Sequence, residues 1–342
     1  MSERKYGVGV IGLGWVAGEH LAAWKKNRHV EVVALASASR ANAEATRARH
    51  GLPDASIYND WTDLIRDPRI DIVDVCSMNH LHVEQGIAGA QAGKHLLIEK
   101  PASNDLAGLR ALEAAIRTAG VKSLVGFELH WSPYFRSIRR MIEADFFGPI
   151  HYAECDYFSG NQDKWYQGYQ WVKTRAQGGS AFAATGCHSV DALRQFVAAD
   201  PVEVFAYSGN FTRVMEWDAT IVLLARFANG AIGKVGCSLE GNLKYQFNVR
   251  LHGSKGTLVN DRYLSHYLPG QTDYAHFPTI TPDTPDVAHH PFQDELDHLV
   301  DCIRDGSTPI VDIGDAVRTH ELMFAAEMSA LERRPVALPL PR

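Results

Sequence analysis

The feature that most constrains this chain is a run of six residues, Gly12-Leu13-Gly14-Trp15-Val16-Ala17. It sits directly behind an apolar strand pattern, Gly7–Ile11, and ahead of a helical one. A G-x-G-x-x-G/A run between a strand and a helix is the turn with which a parallel α/β sheet holds a dinucleotide. Gly12 permits the tight turn, Gly14 lets the main chain approach a pyrophosphate, and Ala17 is small enough for the helix to pack on the strand. Trp15 and Val16 lead into the helix, whose first N–H groups and dipole receive the phosphates. The alternative is a glycine turn that binds nothing.

The chain behind this turn supports the first reading. From Tyr6 to Phe127 short β-branched runs alternate with amphipathic stretches, the pattern of βαβ units in a parallel sheet. Strands are expected at Gly7–Ile11, Val30–Ala36, Asp71–Cys76, His95–Ile98 and Ser123–Phe127. The clearest helix runs from about Asp105 to Ala119, capped by Ser103 or Asn104 and stopped at Gly120. Pro133 opens another helix. After Gly148-Pro149 the segments lengthen and alternate, and Asn229-Gly230 is expected to close a hairpin with a type I′ turn. A second hairpin, QFNVRLHG-SKG-TLVND, follows. Leu296, Leu299, Val300 and Ile303 form one helical stripe that ends at Gly306, and a last helix runs from about Gly314 to Glu332. Leu268–Pro291 between them is rich in Pro, His and Tyr and is expected to be an ordered loop or lid. The predicted fold class is α/β: a doubly wound Rossmann domain over residues 1–127, then a domain over 128–342 with an open, mostly antiparallel sheet, whose last helix is able to pack back on the first domain.

Composition removes several functions. A net charge of -6 over 342 residues without a Lys/Arg cluster repels a phosphate backbone, so nucleic acid is not expected as a partner. No apolar run approaches the roughly 20 residues that cross a bilayer, and the start lacks a cleavable apolar segment; a cytoplasmic protein is expected. Cys76, Cys155, Cys187, Cys237 and Cys302 never pair as CxxC, so no disulfide framework or zinc ribbon is indicated. His289-His290 and Cys187-His188 lack zinc-ligand spacing, and no metal is expected. His290 is read as a contact to substrate or cofactor, or as a helix cap.

The second strand ends at Ser37, where an NAD-preferring site places Asp or Glu on the ribose 2′-hydroxyl. Ser37, Ser39 and Arg40 instead suit a 2′-phosphate, favouring NADP over NAD, unless Arg40 merely opens the next helix in solvent.

Three longer stretches, CSMNHLHVEQGIAGAQAGKHLLIEKPAS, GFELHWSPYFRSIRRMIEADFFGPI and GGSAFAATGCHSVDALRQF, resemble the glucose-fructose oxidoreductase and inositol dehydrogenase family (Gfo/Idh/MocA), and the likeness runs over nearly the whole chain. The resemblance implies hydride chemistry on sugars, cyclitols or related polyols, and a homodimer or homotetramer. It places Lys100 of the Glu99-Lys100-Pro101 triplet beside the nicotinamide and the reacting hydroxyl, with Pro101 commonly cis. A desolvated amine with a lowered pKa suits the proton lost as a carbinol surrenders hydride. Ser77 and Asn79 match polar positions near the cofactor ribose, and His82 follows on the next helix as a candidate cofactor contact, with either a catalytic or a packing or capping role. In the second domain the resemblance matches His188 to a catalytic histidine, but the family's partner Asp is Ala184 here. His188 then acts with Lys100 alone or another residue substitutes; Asp191, one turn on, matches a position with a structural role.

Trp165, Tyr166, Tyr169 and Trp171 offer aromatic faces to a sugar-like ring, or simply pack a loop. Glu128 and His130 are expected to reach the substrate from the end of the sixth strand. Two other activities fit the missing Asp: glycoside cleavage through transient oxidation by a retained cofactor, and a dinucleotide or sugar sensor without catalysis.

Overall fold

In the computed structural model, which describes residues 4–160, 169–279 and 290–341, the chain divides into two compact units. One comprises residues 1–128 and 287–317, the other residues 129–286 and 318–342.

The first unit is built on six parallel strands: β1 Tyr6–Ile11, β2 Val30–Ala36, β3 Ser56–Tyr58, β4 Ile72–Val75, β5 His95–Ile98 and β6 Ser123–Val125. Their order is β3-β2-β1-β4-β5-β6, the doubly wound arrangement expected. β1 and β4 sit at the centre, buried on both faces, so Val8, Val10, Ile72, Val73 and Val75 are without solvent contact. Asp74 breaks this apolar run from inside β4, opposite Val10. Helices α1 Ala17–Lys26, α2 Arg40–Arg49, α3 Trp61–Arg66, α4 His82–Gln91 and α5 Leu106–Ala119 connect the strands.

Details depart from the sequence reading. The edge strand β3 was not expected; three half-buried residues, Ser-Ile-Tyr, leave almost no periodic signal. Asp105 caps α5, its Oδ1 accepting from the Gly108 N–H at 2.8 Å, while Ser103 Oγ is occupied with the Asp105 main chain. Gly120 ends that helix at φ +66° as anticipated. The helix Phe292–Asp305, expected within the second domain, belongs to the first unit, where its buried stripe lies against α1.

Among its described residues the second unit holds nine strands: β7 Ile150–Phe158, β8 Pro201–Gly209, β9 Thr220–Phe227, β10 Ile232–Ser238, β11 Gln246–Gly253, β12 Gly256–Val259, β13 Arg262–Ser265, β14 Ala275–His276 and β15 Val336–Ala337. They run in the order β14-β13-β12-β11-β7-β10-β9-β8-β15, antiparallel except for the β7–β10 pair. Helix α6, Pro133–Glu143, begins at its proline behind a Ser132 cap, and α7, Cys187–Val197, packs on β7. The β9–β10 hairpin is not closed by a type I′ turn, which needs positive φ at both central residues. Only Gly230 has it, at +85°, and Phe227 N donates to Ala231 O. The loop is thus a three-residue turn with glycine in its left-handed position. β14 lies inside the expected 268–291 loop; residues 280–289 are outside the described part. All five cysteines are buried free thiols. Among the described residues no helix is long and apolar enough to cross a membrane.

Candidate functional site

In the first unit, the carboxyl ends of three neighbouring strands carry the expected motif residues. Behind β1, Gly12 has φ +85°, and a Cβ there would fall 2.5 to 2.7 Å from main-chain atoms of Ser77 and Cys76. Gly14 faces open space, with nothing within 4 Å of a Cβ placed on it. Ala17 is buried, Trp15 is exposed, and Val16 caps α1 with no side-chain bond to the first N–H groups. A cradle whose first glycine is pressed on the next strand and whose second is bare fits a pyrophosphate laid over the start of α1.

Around the end of β2, local bonds engage all three groups expected at a 2′-phosphate. Ser39 Oγ caps α2 by accepting from Asn42 N at 3.2 Å, Ser37 Oγ accepts from Ser39 N at 3.3 Å, and Arg40 Nε pairs with Glu44 at 3.0 Å. Each serine keeps its hydroxyl proton to donate, and an exposed i,i+4 ion pair is worth only about 0.3–0.5 kcal/mol, so Arg40 is easily drawn to a stronger anion. Asn42 was not anticipated. Its Nδ2 donates to Leu13 O at 3.0 Å and ties α2 to the glycine turn.

Behind β4, Ser77 Oγ donates to Gln85 at 2.6 Å, and Asn79 is buried in the short turn Asn79–Leu81. His82 is buried too, and both its ring nitrogens lie at main-chain carbonyls, Nδ1 2.7 Å from Pro101 and Nε2 3.0 Å from Ser77, of which a neutral ring donates to one. Burial lowers its pKa and the two carbonyls oppose that. Its ring therefore lies between the β4 turn and the β5 turn.

Behind β5, Lys100 is half-buried and joined to Pro101 by a cis bond. Glu99 turns inward. Its Oε2 accepts from the Lys100 N–H at 3.2 Å, and its Oε1 lies 3.1 Å from His20 Nε2. The other nitrogen of His20 lies 3.1 Å from both oxygens of Asp74 and 3.3 Å from Cys76 Sγ, and Trp24 Nε1 donates to Asp74 at 2.7 Å. Burial works against a charge on His20, but the adjoining Cys76 and Asp74 outweigh it and hold its pKa well above the usual value. His20, Asp74 and Cys76 also have the composition of a metal-ligand set, although in this arrangement their atoms bond to one another. Glu295, on the helix Phe292–Asp305, faces the same region with neither carboxyl oxygen hydrogen-bonded; burial first, then Glu128 and Glu99, push its pKa well up. Glu128 Oε1 pairs with His290 Nδ1 at 2.7 Å.

None of His20, Trp24, Asp74 or Glu295 was singled out from sequence. The signal for one of them was present: an Asp inside a strand buried on both faces demands a buried partner.

In the second unit, α7 follows directly on a π-helical segment, Phe182–Gly186, a deformation frequent at functional sites. Ala184 and Thr185 in that segment are half-buried, and His188 lies buried in the first turn of α7. His130 is not presented to a ligand as expected. It is buried, with Nδ1 3.1 Å from the Arg139 guanidinium and Nε2 2.7 Å from Asp191. Asp191 also accepts from Thr319 at 2.8 Å; burial alone would raise its pKa, but His130 and Arg194 hold it well below the carboxylate range. That set fastens α7 in place. Tyr169 and Trp171 are half-buried; Trp165, Tyr166 and His289 lie outside the described residues.

Comparison with known proteins agrees with this layout. A family model described as an oxidoreductase family with an NAD-binding Rossmann fold matches residues 6–127, and the GFO/IDH/MocA C-terminal domain matches residues 135–259. The myo-inositol 2-dehydrogenase of Thermotoga maritima is 25% identical over 354 residues, covering 97% of this chain and 98% of its own. The scyllo-inositol 2-dehydrogenase (NAD(+)) of Bacillus subtilis is 25% identical over 350 residues, covering 99% and 98%. Among solved structures, a levoglucosan dehydrogenase in complex with NADH superposes with a TM-score of 0.89 at 22% identity, covering 99% of this chain and all of that one. With both units matched in order, and with the glycine turn and the Glu-Lys-Pro triplet on neighbouring strands of the first, the chain belongs to the GFO/IDH/MocA family of oxidoreductases.

Proposed function

We propose that this NAD-binding oxidoreductase moves a hydride between a nicotinamide dinucleotide and a secondary alcohol or ketone carbon of a sugar, cyclitol or related polyol, with Lys100 taking or returning the hydroxyl proton. The observation that carries the reading is the alignment of Gly12, Ser77 and Lys100 behind the adjacent strands β1, β4 and β5. Ligands of doubly wound sheets bind outside those carboxyl ends. Two near-full-length relatives named as inositol dehydrogenases support the substrate class.

The dinucleotide, when bound, supplies the hydride acceptor or donor. The chain supplies the rest. The glycine turn and the start of α1 hold the phosphates, the pocketed His82 keeps the β4 and β5 turns together, and Lys100 holds the proton released from the carbinol oxygen. His188 is the second unit's proton-handling residue in this reading; its support is its match to the family's histidine, the π-helical segment before it and its place in the first turn of α7. With Ala184 in place of a carboxylate, His188 works without an orienting acid at that position.

The finer cofactor choice falls to Ser37, Ser39 and Arg40. No carboxylate stands directly behind β2, where Ser37 is, and the first one on, Glu44, is paired with Arg40, so NADP is preferred to NAD. The test titrates the protein with both dinucleotides, then follows reduced-nicotinamide fluorescence with each against aldoses, inositols and glycosides. Turnover of a sugar or polyol is expected. Tight binding without turnover on the whole panel would overturn the reading.

A further inference from the structure

We propose that His20 is a positioning residue for Lys100: clamped as an imidazolium between Asp74 and Glu99, it fixes the carboxylate that accepts the Lys100 main-chain N–H, and so sets how readily the lysine amine releases its proton. This rests on the reading of Lys100 as the proton acceptor.

The contacts of both ring nitrogens point to the charge. His20 is without solvent contact, and each ring nitrogen lies 3.1 Å from a carboxylate oxygen, Nδ1 with Asp74 and Nε2 with Glu99. A neutral imidazole has one N–H, so one of the two contacts would set lone pair against lone pair in a buried site. With both carboxyls ionised, which agrees with a His20 pKa held well above the usual value, only the doubly protonated ring donates to both. The partners are themselves fixed. Trp24 Nε1 holds Asp74 from α1, at 2.7 Å, and the Cys76 thiol donates to its other oxygen at 3.2 Å. The Phe292 ring packs 5.1 Å from the His20 ring and closes the remaining side.

The chain of bonds then reads Trp24 to Asp74, Asp74 to His20, His20 to Glu99, and Glu99 to the main chain of Lys100. Its last link spans one residue, so a turn of the Glu99 carboxylate shifts the peptide from which the Lys100 side chain springs. Groups facing His20 come from every element around it: Trp24 on α1, Asp74 and Cys76 at β4, Glu99 behind β5, and Glu295 on the helix Phe292–Asp305. Carboxyls outnumber cations there, so the imidazolium is the charge that balances Glu99, the carboxylate that accepts from the Lys100 main chain.

Opposite effects follow from removing each member of the central pair. His20→Gln deletes the cation and leaves the carboxylates, which stabilises the Lys100 ammonium and raises the amine pKa by about one unit, a tenfold change in its acid dissociation constant. Glu99→Gln deletes an anion, keeps the shape and lowers that pKa. The measurement is a pH titration by 13C NMR of the full-length protein after reductive 13C-methylation of its lysines, with the Lys100 signal assigned by its loss in Lys100→Arg. Shifts of opposite sign support the proposal. An unmoved Lys100 titration in both folded variants, or shifts of the same sign, overturns it, since a purely structural cluster would unfold the turn without reversing the direction. Should His20→Gln fail to fold, Glu99→Gln alone decides by the sign of its shift. The readout needs no substrate: shifts as expected in a protein that oxidises no sugar or polyol would remove the proposed activity and leave the positioning role, and turnover with an unmoved amine would do the reverse.

Discussion

Two glycines in one turn make opposite predictions, and together they test whether that turn holds a dinucleotide. At Gly12 an alanine meets φ +85° and main-chain atoms of Ser77 and Cys76 at 2.5 to 2.7 Å. The left-handed conformation costs roughly 1–2 kcal/mol for a residue with a Cβ. Crowding into packed surroundings adds about 1–3 kcal/mol, and main-chain neighbours cannot swing aside as a flexible side chain would. Gly12→Ala is thus expected to lose about 2–5 kcal/mol of stability before any ligand is added. At Gly14 the same methyl meets nothing within 4 Å, and the backbone is not left-handed. Gly14→Ala is expected to leave the ligand-free protein unchanged or more stable by about 0.4–1 kcal/mol, because alanine narrows the unfolded ensemble. The methyl then stands where the pyrophosphate approaches, and a loss of at least tenfold in affinity, about 1.4 kcal/mol, is expected. Thermal unfolding of the ligand-free variants and fluorescence titration with NADH separate the two effects. A Gly14→Ala variant that binds NADH as tightly as the parent would refute the argument that open space at Gly14 is the pyrophosphate's approach. A Gly12→Ala variant that melts with the parent would refute the steric one.

Three further outcomes follow from the same geometry. Lys100→Ala is expected to lower kcat by about 10²–10⁴ while changing the NADH dissociation constant only a few-fold; equal losses in both would make Lys100 a binding residue. Arg40→Ala is expected to weaken NADP binding about tenfold or more and to leave NAD binding nearly unaltered, and parallel losses would dismiss the 2′-phosphate role. Glu295 has a folded pKa raised by burial and by Glu128 and Glu99, so it binds its proton more tightly folded than unfolded, and its contribution to stability is lost as pH climbs from the unfolded value, about 4.3, through the folded one. His20 acts with the same sign above its unfolded value of about 6.5. Tm should therefore fall on the alkaline side, and Glu295→Gln should flatten that fall, by about 1.4 kcal/mol for each unit of displaced pKa; parallel Tm curves for parent and variant at pH 6 and 8.5 would exclude Glu295 as a cause.

The fold was legible where one local rule acts alone. Alternation of β-branched strands with amphipathic helices, glycines at helix ends and Pro133 at a helix start each gave correct elements, because each is set by neighbours in sequence. The exceptions depend on distant partners. β3 is a strand because it lies alongside β2, not because Ser56–Tyr58 carry a pattern of their own. The turn at Asn229-Gly230 takes a three-residue form although the dipeptide favours the two-residue one, since the pairing of Phe227 with Ala231 sets the loop length.

The candidate site divides along the same line. Gly12, Gly14 and the Glu99-Lys100-Pro101 triplet are recognisable because main-chain geometry and strand position dictate them. The supporting residues are not, since His20, Asp74 and Glu295 are drawn from α1, β4 and a helix near the end of the chain. Burial of charge is what joins them. A carboxylate at Asp74 in a strand covered on both faces is costly unless a cation answers it, so the strand's one acidic residue predicts a histidine, lysine or arginine on whichever helix covers that face. α1 covers it, and its single buried cation is His20. By the same reasoning His130, read as a substrate contact from its place behind β6, was claimed instead by Asp191, whose buried charge was the stronger demand. A histidine following a strand end is thus free for chemistry only when no buried carboxylate within reach lacks a partner, and sequence alone does not reveal that distance.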